Sequence, residues 1–226
     1  MILYNTLMGV ASGAALLLLV VFASHARRSD RRNESFRPGA WAWAFLPLGL
    51  ILVVTGIHMS LTWPLQPVPA SASPHCCRAD NIIFGEPSLF FGAILLALGA
   101  LLLWFARQEG DPGRQTVRLA EALRPLGYVG AVAGLTLFPI AFAGAYFGMF
   151  IAPPEEPFSS MFRVNNIETW YVVSAYALTG IGAVLVPLGL RWPRLWWLVS
   201  IPLVIGGLLL LWLSLVSYFG HIALAV

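Results

Sequence analysis

Hydrophobic positions in this chain come in long runs. They lack both the alternation of a strand and the three-four spacing of a surface helix. Six runs stand out, at about 3–24, 41–62, 88–106, 127–151, 169–190 and 195–219. About 20 mostly apolar residues cross the roughly 30 Å hydrocarbon core of a bilayer. A helix satisfies its backbone polar groups within itself, so runs of this length predict membrane-spanning helices. The expected fold is all-α, an integral membrane helical bundle of six transmembrane helices. Residues 1–226 are read as a single transmembrane domain, because the intervening segments are too short to build a soluble core.

Composition agrees with the pattern. Charged residues are only 10% of the chain, against about a quarter in soluble domains. Prolines fall inside the runs at Pro47, Pro139 and Pro202, where they predict kinks. Small residues recur at four-residue spacing in Gly9/Gly13, Gly130/Gly134 and Gly144/Gly148, a spacing that suits close helix packing. A faint repeat relates Pro47–Gly56 to Pro139–Gly148, and it would align His58 with Phe150. Thr116–Leu123 reads as a short interfacial helix between the third and fourth spans.

Charge then orients the bundle. All thirteen basic residues are arginines. Eleven fall in the three connections that would share one side: Arg27, Arg28, Arg31, Arg32 and Arg37; Arg107, Arg114, Arg118 and Arg124; Arg191 and Arg194. Only Arg78 and Arg163 fall on the other. Cytoplasmic loops carry the excess of Lys and Arg, so the N-terminus and C-terminus are both expected outside. Met1–Asn5 carries no positive charge ahead of the first run, which reads as a retained anchor rather than a secretory signal. The net charge of +3 suggests contact with anionic lipids at the inner face. Nucleic acid is not expected, since no soluble basic surface exists to hold it.

The chain shows no hydrolytic triad, phosphate loop, dinucleotide fingerprint or zinc-protease motif. No Asp, Glu or Arg falls near the middle of any run, unlike the mid-depth charges of ion-coupled transporters. Ligand-type side chains gather at the expected outer face. His58 lies about one turn inside the outer boundary of the second span, and His221 just past the sixth. The first outer loop adds His75, Cys76 and Cys77. Two opposed imidazoles would suit haem iron, so His58 and His221 are candidate cofactor ligands. A set of His58, His75, Cys76 and Cys77 would suit copper or zinc. Their spacing matches no established pattern, and plainer readings stand beside these. His58 would bond to a neighbouring helix, and His221 would be an exposed terminal residue. The two cysteines would be a strained vicinal disulfide or free thiols. Glu86 and Glu168 are expected in the first turns of the third and fifth spans, where a carboxylate favours the helix dipole.

Two stretches are more distinctive: Gly56-Ile57-His58-Met59-Ser60-Leu61-Thr62-Trp63-Pro64-Leu65, and Asn81-Ile82-Ile83-Phe84-Gly85-Glu86-Pro87 followed by Phe91-Gly92. With Tyr4-Asn5-Thr6 they resemble a family of uncharacterised prokaryotic multi-pass membrane proteins, known only as domain of unknown function 981. The resemblance spans most of the chain. It implies a prokaryotic plasma membrane location and supplies no reaction. It also implies that the first outer loop folds back over the ends of spans two and three. His58, Trp63, Asn81 and Glu86 would then form a polar cluster, with Asn81 capping span three or satisfying loop carbonyls. His75 to Arg78 looks like an insertion between the two similar stretches.

Three functions are expected from these features. The leading one is a non-catalytic accessory subunit of a larger membrane complex, respiratory or otherwise concerned with electron transport. Its partners would be other integral membrane protein subunits. The second is a membrane redox protein binding haem or copper at the outer face. The third is a transporter or channel for a neutral or lipophilic solute.

Overall fold

The computed structural model describes residues 4–32, 34, 36–64, 79–108, 115–150 and 167–223. Its elements are α1 (Asn5–Arg32), α2 (Pro38–Thr62), α3 (Asp80–Ala106), α4 (Gln115–Phe147), α5 (Ile167–Val184), the short α6 (Val186–Arg191), a 3-10 turn (Pro193–Leu195) and α7 (Trp196–Ala223). Among the described residues there is no strand. Six segments are long and apolar enough to cross a membrane: Asn5–Arg32, Pro38–Thr62, Asp80–Ala106, Val117–Phe147, Ile167–Arg191 and Pro193–Gly220. The fifth of these is two helices, broken at Leu185 ahead of Pro187, which has no N–H to continue the ladder.

Helix ends follow local chemistry. Pro38 stands at the first turn of α2, where a missing N–H costs nothing. Trp63 ends α2 in the left-handed region (φ 47°, ψ 57°), its N–H donating to the Met59 carbonyl at 3.3 Å. The next residue, Pro64, disfavours a further helical turn. Gly148 (φ 60°) ends α4, and the Met149 N–H returns to the Gly144 carbonyl at 3.1 Å, as in a glycine C-cap. This separates the members of the faint repeat. Gly148 terminates a helix, whereas Gly56 lies buried within one.

The helices outrun the apolar runs that mark them. α1 continues through the arginines to Arg32. Thr116–Leu123 is no separate interfacial helix but the opening of α4. Its Leu119 is buried against the cluster formed by Phe22, Phe45 and Phe105, which favours continuing the helix over breaking it. α3 begins at Asp80 rather than 88, and Pro87 lies inside it. Pro125 is likewise inside α4.

Neighbouring spans pack antiparallel through glycine. A Cβ on Gly49 would lie 2.9 Å from the Gly92 carbonyl oxygen, and one on Gly92 would lie 2.8 Å from that of Gly49. Gly56 faces the Leu89 backbone nitrogen at 2.6 Å in the same sense. These contacts lock α2 to α3. Gly134 meets Gly180 between α4 and α5, Gly13 meets Gly207 between α1 and α7, and Gly206 meets Thr179 between α5 and α7. Close backbone approach at small residues is the main packing device available in lipid, where apolar side chains gain little by leaving the hydrocarbon. The six spans alternate in direction, so Tyr4 and Ala223 lie at the same end of the bundle, opposite the described arginines.

The arginine-rich end has its own fastening. The Arg27 guanidinium donates to the Gly189 carbonyl at 3.0 Å and the Pro193 carbonyl at 2.9 Å. It also lies over the Trp196 ring, 4.5 Å from the centroid. The Gly189 carbonyl in the last turn of α6 thereby gains a donor from α1.

Substitution should separate packing glycines from spare ones. Gly92→Val should destabilise the α2–α3 pair by about 1–3 kcal/mol or more through overpacking, read as a lower melting temperature in detergent. Gly130→Ala meets nothing within 4 Å and should be neutral or stabilising by up to about 1 kcal/mol.

Candidate functional site

A cavity of about 380 Å³ lies inside the bundle between α1, α3, α4, α5, α6 and α7. This lies within the roughly 300–1,000 Å³ range of small-molecule sites. No residue of α2 lines it, because α2 packs on the outer side of α3. On α1 the lining runs from Asn5 to Ala23, roughly 27 Å at helical rise. A modest volume spread over that length makes a narrow channel.

Its two ends differ chemically. Phe22, Leu123, Leu190 and Leu203 line the half nearer the arginines. Asn5, Thr6, Asp80, Glu168, Ser214 and Ser217 line the opposite end. Asp80 and Glu168 occupy the first turns of α3 and α5, where the helix dipoles favour their carboxylates. Glu168 is buried, and both residues take part in further interactions within the protein. No Arg, Lys or His is among the described lining residues.

One cross-link over the cavity arises from a proline. Pro87 has no N–H, so the Ile83 carbonyl four residues earlier has no helical partner. The Tyr176 hydroxyl, buried on α5, donates to that carbonyl at 3.0 Å. Phe150 stacks on Tyr176 with ring centroids 5.9 Å apart. A Cβ on Gly144 would run into the Phe150 ring, so Gly144 makes room for the stack. Two donors near the cavity wall, Thr179 Oγ1 and Trp196 Nε1, are buried without a hydrogen-bond partner.

The residues singled out by sequence are distributed otherwise. His58 is exposed on α2. Its Nδ1 lies 2.5 Å from the Tyr4 hydroxyl, and the rings meet edge-on at 5.5 Å. Burial pushes the Tyr4 phenol up, which keeps it protonated and able to donate. Trp63 is the C-cap of α2, and its indole N–H donates to the Ser60 carbonyl at 2.9 Å. Asn81 does not cap α3, because Ala79 holds that position. It sits fully buried in the first turn. Glu86 is not in the first turn either. With α3 starting at Asp80 it lies in the second turn and is exposed. The expected first-turn role belongs to Asp80, while Glu168 is where it was expected.

His75, Cys76 and Cys77 lie outside the described residues. His221 falls within α7, but its side chain lies outside them too. Among the described residues, no group of three or more His, Cys, Asp or Glu is placed to hold a metal ion.

Fold and cavity together define an α-helical bundle, with six segments long and apolar enough to cross a membrane and a mostly apolar internal cavity. The chain belongs to the family described as protein of unknown function (DUF981), whose profile matches residues 1–224. No curated protein matches the chain, and no solved structure does.

The proline-tyrosine link gives a reciprocal prediction. Tyr176→Phe leaves the Ile83 carbonyl unpartnered in an apolar setting and should cost about 1–3 kcal/mol. Pro87→Ala restores an N–H for that carbonyl, so adding it to Tyr176→Phe should recover part of the loss. A double-mutant cycle on thermal stability that shows strict additivity would break the link.

Proposed function

We propose that the protein binds, and passes along the membrane-spanning direction, a neutral or lipophilic solute held in the central cavity. The observation that supports this reading is the cavity itself, lined mostly by apolar side chains and with its two carboxylates, Asp80 and Glu168, at one end. Ligand sites in helical membrane proteins lie between helices in this way. The absence of charged side chains along the middle of the described spans fits a solute that carries no ion with it. The arginine excess supports placing the arginine-rich end in the cytoplasm of a prokaryotic cell, with both termini outside. Anionic lipids would then meet the inner face.

Purification in mild detergent followed by solvent extraction tests this. A hydrophobic compound should be recovered in near-stoichiometric amount with the protein. Recovery of only bulk phospholipid, in the proportion carried by an unrelated six-span protein, would overturn it.

A second reading, an accessory subunit of a larger membrane complex, is favoured by α4. This is the least covered of the six spans. Phe142, Tyr146 and Phe147 form an aromatic ladder on its exposed side, with centroids 5.9 Å and 4.9 Å apart. Such a ladder suits a partner helix of another integral membrane subunit. Native electrophoresis should then show a larger assembly that Tyr146→Ala weakens. Migration as a lone monomer counts against it.

A further inference from the structure

We infer that the cavity takes a membrane amphiphile with a single hydrocarbon chain and an uncharged, hydrogen-bonding head. The ligand reaches the cavity sideways from the bilayer through a gap between α3 and α4. This rests on the cavity being a ligand site, as proposed above.

The gap follows from where α3 and α4 close on each other. Near the arginine-rich end, Leu98, Leu102 and Phe105 of α3 share a core with Leu119, Leu123 and Leu126 of α4. Near the opposite end, Ile83 and Phe84 share another with Leu137, Ile140 and Ala141. Between these closures, α4 presents Gly130, Ala133 and Thr136 to the cavity. A Cβ on Gly130 would find nothing within 4 Å. Thr136 lines the cavity and is exposed at the same time, which marks an opening at mid-depth. Gly134, one turn along, packs directly on Gly180 of α5 and holds α4 in place.

The shape selects a chain. A solute arriving through this opening comes from hydrocarbon, so it is already a membrane component. The apolar half of the channel receives its tail, pointing toward Leu190 and Leu203. The head then lies at Asn5, Thr6, Ser214 and Ser217, which offer hydroxyl and amide groups for hydrogen bonding. Asp80 and Glu168 at the same end disfavour an anionic head by like charge. Each of these residues also takes part in a further interaction within the protein.

Native mass spectrometry of the detergent-solubilised protein tests this with three probes that share one chain: monooleoylglycerol, oleate and oleylamine. Monooleoylglycerol should be retained as one equivalent, with the two charged probes at least about tenfold weaker. Gly130→Leu places a side chain in the gap and should weaken monooleoylglycerol by about tenfold. Val132→Leu, on the exposed side of α4, should leave it unchanged. Gly130→Ala, smaller, should show the same trend and serves if the leucine variant fails to assemble. Equal or tighter binding of oleate or oleylamine overturns the uncharged head while leaving the cavity a ligand site. Unchanged binding in folded Gly130→Leu or, failing its assembly, in Gly130→Ala overturns access between α3 and α4. Retention of none of the three probes overturns the amphiphile, and if solvent extraction also recovers no bound compound the cavity reading falls with it.

Discussion

Backbone-to-backbone approach at glycine is the contact on which this bundle depends. In water, burying leucine drives helices together. In hydrocarbon that drive is largely absent, and what remains is close packing and the satisfaction of polar groups. Gly49 and Gly92 each sit where the other's carbonyl leaves no room for a side chain, so α2 and α3 behave as one unit. Gly134 with Gly180, and Gly13 with Gly207, repeat the device around the ring. The cavity exists because this tight set does not include α3 against α4 at mid-depth. Where a glycine on α4 faces open space instead of a neighbour, the bundle has a hollow.

The same shortage of water governs the polar groups. A proline inside a membrane helix frees a carbonyl that no solvent can reach, and a neighbouring helix must supply the donor. Pro87 and Tyr176 are such a pair. At the arginine-rich end Arg27 fills that role for the carbonyl of Gly189 and adds a second hydrogen bond to that of Pro193. The carbonyls that helices leave open thus become attachment points between helices distant in sequence.

The six spans and their alternation were legible because hydrocarbon thickness leaves a direct imprint on hydrophobic run length. Boundaries were less so. The third run reads as starting near 88 with Glu86 in its first turn, yet α3 begins at Asp80, and helix geometry tolerates Pro87 inside it once Tyr176 serves the freed carbonyl. That partner lies far away in sequence and is invisible to any local pattern. The cavity was hidden for a related reason. Gly130 and Gly134 look alike as letters, but one packs on α5 and the other faces a gap, a distinction made only by the placement of α3. Attention to His58 was half rewarded. It does contact another helix end, through Tyr4. The signal for the cavity's polar end would have been the hydroxyls of Ser214 and Ser217 inside an otherwise apolar run.

The Arg27 clasp bears on the order in which the bundle can be assembled. α1 leaves the ribosome long before its fixed partners, Gly189, Pro193 and Trp196, are made. Its glycine face at Gly9 and Gly13 likewise waits for α7. The hairpins α2–α3 and α4–α5 can form from neighbours as they emerge, but the ring cannot shut until the final span arrives. Closure is therefore a late, long-range step. Until it occurs, α1 stands in the bilayer with an unsatisfied small-residue face, the state in which chaperones or insertases would encounter this chain.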